Sequence, residues 1–142
     1  MSLETGKSLY VGCALTDSPK EFQEDIQSFK EQLRQRNYNV FDFIGLTNGT
    51  SADVYNWDIG HCVQDCDAFV AVSNYPSTGL GMEIMKAIYL EKPVLVVAQE
   101  NLRTTRLLLG AAAVEPTVYF RQYEQLSDVL PLVDDLLGGN LA

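Results

Sequence analysis

A glutamate closes the stretch PSTGLGME, residues 76–83, two positions after a Gly-x-Gly, with an apolar run before it and a helix-like run after it. A glycine loop that cradles phosphate works through backbone N–H groups, often with a lysine, and a carboxylate there would repel the bound anion. Glu83 therefore suggests chemistry on something other than a phosphoanhydride. A plainer reading is equally open: Gly79 and Gly81 permit a tight strand-to-helix turn, and Glu83 is a first-turn acid that complements the helix dipole. The other cluster of reactive types is His61, Cys62 and Cys66, with the cysteines at i and i+4. Structural zinc needs four ligands, no second cluster is visible, and no metal is expected.

The elements that must position Glu83 can be read from periodicity. Residues 8–14 (SLYVGCA) form a short apolar run, and 19–36 are amphipathic, with Phe22, Ile26, Phe29 and Leu33 at helical spacing, Ser18 as N-cap and Pro19 at N1. Residues 39–43 read as a second strand, 44–53 as a loop and 54–66 as a helix leading to the strand 68–72 (AFVAV), whose continuous apolarity fits a parallel strand covered on both faces. A helix over 80–90, a strand over 93–98, a short helix over 102–109, a strand over 117–120 and a closing helix over 124–137 complete the pattern. Alternating strands and helices predict an α/β fold, a doubly wound five-stranded parallel sheet of flavodoxin-like, three-layer α/β/α type, as one domain over 1–142. In such folds the site lies beyond the carboxyl ends of the strands, where strand order reverses. The loops 12–18 and 73–81 should then face one crevice, with Glu83 in the first turns of the helix after the third strand, where the helix dipole favours the ionised carboxylate.

Composition narrows the partner. A net charge of −9 disfavours nucleic acid, because affinity for a polyanion grows with the phosphates that basic side chains neutralise. A small molecule is the expected ligand. No apolar run approaches the ~20 residues of a membrane span, and residues 1–7 lack the basic and apolar regions of a signal peptide, so a cytoplasmic protein with no membrane partner is expected. Three cysteines without framework spacing suit a reducing compartment.

The stretch 76–84, with Asp67-Ala-Phe-Val-Ala-Val before it and Lys-Ala-Ile-Tyr-Leu-Glu-Lys-Pro-Val-Leu after it, resembles the nucleoside 2-deoxyribosyltransferase family, and within it the 2′-deoxynucleoside 5′-phosphate N-hydrolases. Leu9-Tyr-Val-Gly, Tyr55-Asn-Trp-Asp and Leu109-Gly-Ala-Ala-Ala extend the likeness over almost the whole chain. The resemblance implies that Glu83 attacks the anomeric carbon of a deoxyribonucleoside and holds the sugar as an ester, the logic of a retaining glycosidase. It implies that Asp58 serves the leaving base and that Tyr10 hydrogen-bonds the nucleophile. Residues alone would make Asp58 a surface helix acid and Tyr10 an ordinary core tyrosine. The chain also carries one residue more between Asp58 and Asp67 than its relatives do.

The resemblance further implies a substrate-binding set of Gly12, Thr16, Ser77, Gly79, Gly81 and Thr105. Transferases of free nucleosides carry an aspartate at position 77, where a neutral serine can donate to a phosphate oxygen; a helix N-cap role for Ser77 is the alternative. Thr105 matches a serine that relatives lend to a neighbour's phosphate site, which implies a homodimer or a dimer of dimers, with Leu107, Leu108 and Leu109 either at the interface or filling the core. In the first-strand loop, Ala14 and Thr16 stand where the hydrolases have a serine and an arginine, so the phosphate would need Arg103 or Arg106. Phe43, Ile44 and Trp57 are candidates for stacking on the base. The expected activity is release of free base from a 2′-deoxynucleoside 5′-monophosphate without a cofactor. Deoxyribosyl transfer between bases and a non-catalytic nucleotide-binding module are the alternatives.

Overall fold

The alternation of apolar runs with amphipathic ones resolves, in a computed structural model that describes residues 6–45 and 48–141, into a parallel sheet between two helical layers. The strands are β1 (Ser8–Cys13), β2 (Asn39–Phe41), β3 (Ala68–Val72), β4 (Val94–Gln99) and β5 (Val118–Tyr123), ordered β2-β1-β3-β4-β5 and parallel throughout. The flavodoxin-like expectation holds. Strand order reverses at β1, so the crevice opens between the carboxyl ends of β1 and β3.

Because successive side chains leave a strand on opposite faces, each strand feeds two cores. Leu9, Val11 and Cys13, with Val70, Val72, Leu95 and Val97, pack under α1 (Lys20–Gln35) and α5 (Leu130–Leu137). Tyr10, Phe69, Ala71, Val94 and Val96 face the other way, toward α2 (Ser51–Trp57), its continuation and α3 (Thr78–Tyr89). The helix α4 (Arg106–Val114) lies on that same side and buries no residue fully.

Several boundaries differ from the sequence reading for identifiable reasons. Pro19 is the N-cap of α1, and the Ser18 hydroxyl instead donates back to the Ala14 carbonyl at 2.9 Å. The expected loop 44–53 already contains the start of α2, because Thr50 and Asp53 form a reciprocal capping box; Leu46 and Thr47 lie outside the described residues. The helix placed over 102–109 starts four residues later and runs through Gly110 and the alanines that follow it.

Candidate active site

Glu83 meets β1 because of a glycine. Tyr10 and Gly12 project from the same face of β1, two residues apart, and α3 lays Glu83 across them. A Cβ on residue 12 would stand 3.1 Å from Glu83 Oε1 and 2.8 Å from the Phe69 ring, so only glycine lets the carboxyl lie this deep. The Tyr10 ring is in turn stacked on Phe69 of β3, its register partner, with centroids 5.2 Å apart. That stacking aims the hydroxyl, which donates to Glu83 Oε2 at 2.6 Å.

The environment reverses one expectation. Helix α3 begins at Thr78, so Glu83 falls beyond its first turn, and the residue is only 8% exposed. Burial outweighs the dipole: desolvation pushes the carboxyl up to about 7, against the Tyr10 hydrogen bond that favours the anion, and the negative field of Asp58 adds to the rise. Tyr10 is held far above the ordinary range by burial and by Glu83, and stays a donor.

Asp58 stands where α2 gives way to a π-helical segment (Asp58–Val63), in which the Gln64 N–H reaches back to the Ile59 carbonyl. A widened turn of this kind is how a helix absorbs one extra residue locally. The Asp58 carboxylate accepts from the Ile44 N–H at 3.0 Å, and its pKa is raised, with burial the largest cause. Cys62 of this segment and Cys66 beyond it turn inward: the Cys62 thiol is on the Asp42 carbonyl and Cys66 on that of Val63, while His61 pairs with Asp65.

Ser77 is the N-cap of α3 and accepts from the Leu80 N–H at 3.1 Å, which leaves its own proton to donate. Thr105 caps α4 in the same way. Both line a cleft of about 550 Å³ with Ser73, Thr104, Arg103 and Arg106. Neither arginine forms an ion pair among the described residues, and Thr104 Oγ1 is buried there without a hydrogen-bond partner. Gly79 and Gly81 are helical rather than turn residues, neither has a positive φ, and a Cβ on Gly81 would meet nothing within 4 Å. The turn reading of the two glycines is therefore replaced by one in which they leave open space beside α3. Thr16 is exposed in the turn after β1.

Of the base-stacking candidates, Phe43 has one ring face covered by Lys30, whose Nζ is 3.8 Å from the centroid. Trp57 is 42% exposed and donates from Nε1 to the Asp42 carbonyl. Leu107 and Leu109 are exposed by 82% and 41%, which excludes the core-filling reading for both. Sequence reasoning missed Lys30 altogether, although its place four residues after Ile26 on the apolar stripe of α1 marked it as buried.

No family model matches the chain. It is 26% identical over 127 residues to a protein of Thermofilum pendens named "Putative 2′-deoxynucleoside 5′-phosphate N-hydrolase 1", covering 82% of this chain and 86% of that one. The structure is similar to that of the CMP N-glycosidase BcmB of Clostridium botulinum, with a TM-score of 0.71 and 18% identity over 90% of this chain and 98% of that one. It is also similar to a 2-deoxyribosyltransferase from Bacillus psychrosaccharolyticus, with a TM-score of 0.60 and 17% identity over 87% and 90% of the two chains. These likenesses show that the chain shares its fold with a CMP N-glycosidase and with 2-deoxyribosyltransferases.

Proposed function

We propose that the protein cleaves the N-glycosidic bond of a 2′-deoxynucleoside 5′-monophosphate through a glycosyl ester on Glu83, releasing the free base. The observation that carries this reading is the buried Tyr10–Glu83 pair over Gly12: a desolvated carboxylate, oriented by one hydroxyl, at the crevice where this fold binds ligands. In the first step the Glu83 carboxylate bonds to C1′ as the C1′–N bond breaks, and the base leaves with a proton from Asp58. In the second, water attacks C1′ and gives its proton to Asp58, the ester bond breaks, and Glu83 returns as a carboxylate. A raised Asp58 pKa suits a group that must hold a proton before the first step.

Along α3, Ser77 precedes Glu83 by six residues, about 9 Å at ~1.5 Å per residue, a separation that suits a sugar held between its anomeric carbon and its 5′ substituent. Arg103 and Arg106 on the cleft with Ser77 offer the positive charge that the loop after β1 lacks. Two of the similar proteins are named for N-hydrolase or N-glycosidase activity on a nucleotide. Deoxyribosyl transfer, the activity for which the Bacillus protein is named, would differ only in a base replacing water in the second step. The assembly proposed with this function is a homodimer or a dimer of dimers, joined over an apolar groove of about 570 Å³ between α3 and α4, beside exposed Met85, Leu107 and Val114.

The test is incubation with each deoxynucleoside and each deoxynucleotide, followed by chromatography for free base with and without a second base. Deoxynucleotides should show the higher kcat/KM, Ser77→Asp should reverse that order by repulsion, and Glu83→Ala should abolish release. Base release by Glu83→Ala at the unaltered rate would remove Glu83 from the role. Equal rates on both substrate classes, unchanged in Ser77→Asp, would remove the phosphate.

A further inference from the structure

Lysine is a poor occupant of a helix's apolar stripe, because a buried ammonium must be paired or lose its charge. Lys30 is nevertheless fully buried in α1. Its Nζ lies 3.4 Å from Asp42 Oδ1 and over the Phe43 ring, so an exposed anion and an aromatic face receive the charge. Asp42 and Phe43 are the first residues after β2 and, with Ile44, form a strap that is tied at its other side as well. The Asp42 carbonyl accepts from Trp57 Nε1–H at 2.7 Å and from the Cys62 thiol, and the Ile44 N–H donates to Asp58 at 3.0 Å. One end of the strap is thus anchored by Lys30, and the other ends on a carboxylate of the candidate site.

The charge of Lys30 reaches further than its contacts. The groups that face it are Asp42 after β2, Cys13 on β1 and Arg34 on its own helix. The groups that act on Glu83 are Tyr10, Asp58 and Lys30, and those that act on Asp58 are the Ile44 N–H and Lys30. Lys30 is the one cation in either set, and in both it favours the ionised carboxyl.

We propose that Lys30 is a positioning residue of the site: it ties the strap after β2 to α1 so that the Ile44 N–H meets Asp58, and it supplies the buried positive charge that Asp58 and Glu83 share. The proposal rests on the reading of those two carboxyls as the working groups, and its test does not depend on knowing the substrate. Wild type, Lys30→Met, Lys30→Gln and Lys30→Arg would be labelled with ¹³C at the Asp and Glu carboxyls and titrated by NMR, with Glu83→Gln and Asp58→Asn as assignment controls. The Glu83 midpoint, about 7 in the wild type, should move up in the two neutral variants together with that of Asp58, and return in Lys30→Arg. With an active substrate, the acid limb of the kcat/KM profile should move by the same amount. Unchanged midpoints in a folded neutral variant would overturn the proposal, as would an equal shift in Lys30→Arg, which would report packing rather than charge. Failure of both neutral variants to fold while Lys30→Arg folds would assign Lys30 to stability instead. Absence of base release from any substrate would overturn the functional reading alone and leave the titration result standing.

Discussion

Replacing Glu83 with glutamine should stabilise the protein, and by an amount that depends on pH. The amide keeps the shape of the carboxyl and can still accept the Tyr10 hydroxyl, so packing over Gly12 is preserved while the titratable group disappears. In the unfolded chain Glu83 ionises near 4.5, whereas in the folded one burial delays ionisation to about 7. A raised carboxyl pKa contributes stability that is complete below about 4.5 and is lost progressively as pH climbs to about 7, above which both states are ionised. At ~1.4 kcal/mol per pH unit, that gap leaves the wild type about 3 kcal/mol worse off at high pH relative to its stability in acid. This is a large share of the 5–15 kcal/mol typical of a folded domain. Urea denaturation of both chains across the range from about pH 4 to about pH 9 would give the difference directly, because most other titrating groups are common to both. The Gln variant should gain on the wild type through the window between those two values and then hold its lead. A flat difference would refute the desolvation argument. A difference of opposite sign would mean that the dipole of α3 and the Tyr10 hydrogen bond outweigh burial.

Gly12→Ala should push Glu83 and the Phe69 ring apart, costing about 1–3 kcal/mol in thermal or urea unfolding and, from ~1 Å of misplacement, about 100-fold in base release, whereas Gly81→Ala, with open space around it, should leave stability the same or slightly higher. If Thr105 of one subunit completes a neighbour's site, mixing inactive Glu83→Ala with an inactive Thr105→Ala variant should restore part of the activity through hybrid dimers. Because Thr105 also shares a cleft with Ser77 of its own chain, no recovery between chains shown to exchange subunits would assign it to its own site. Leu107→Glu should yield a monomer by light scattering, and an unchanged assembly would remove the groove from the interface.

The sheet was legible because its central strands are written as unbroken apolar runs, and a run such as 68–72 has few other places to go than between two helical layers. The crevice rule put Glu83 beside the end of the first strand, whereas its pairing with Tyr10 followed from the resemblance and the closeness of Gly12 only from the structure. What a one-dimensional reading could not supply was depth. Glu83 looked like a helix-start anion because its neighbours in sequence are glycines, but its neighbours in space are Phe69, Tyr10 and β1, and a carboxyl in that company is harder to ionise. Thr50 and Asp53 carried a capping signal that went unused inside a stretch rich in loop residues. The helix expected over 102–109 ends short of Gly110, yet α4 continues through it because the following alanines favour helix. Lys30 was hidden by its type: a charge on an apolar stripe is ordinarily discounted, and only the positions of Asp42 and Phe43 show why one is tolerated here.

The π turn after Asp58 has a consequence for how this chain can change length. An extra residue in an ordinary helix rotates everything beyond it by about 100°, which would swing the residues between Asp58 and β3 off the core or carry Asp58 away from Ile44. Confined to one widened turn, an inserted residue would leave both ends in place, with Asp58 on the Ile44 N–H and with Cys62 and Val63 buried under the sheet. The segment Asp58–Val63 therefore acts as a slack loop in an otherwise taut cord, letting the segment before β3 gain or shed a residue without re-aiming the acid at its head.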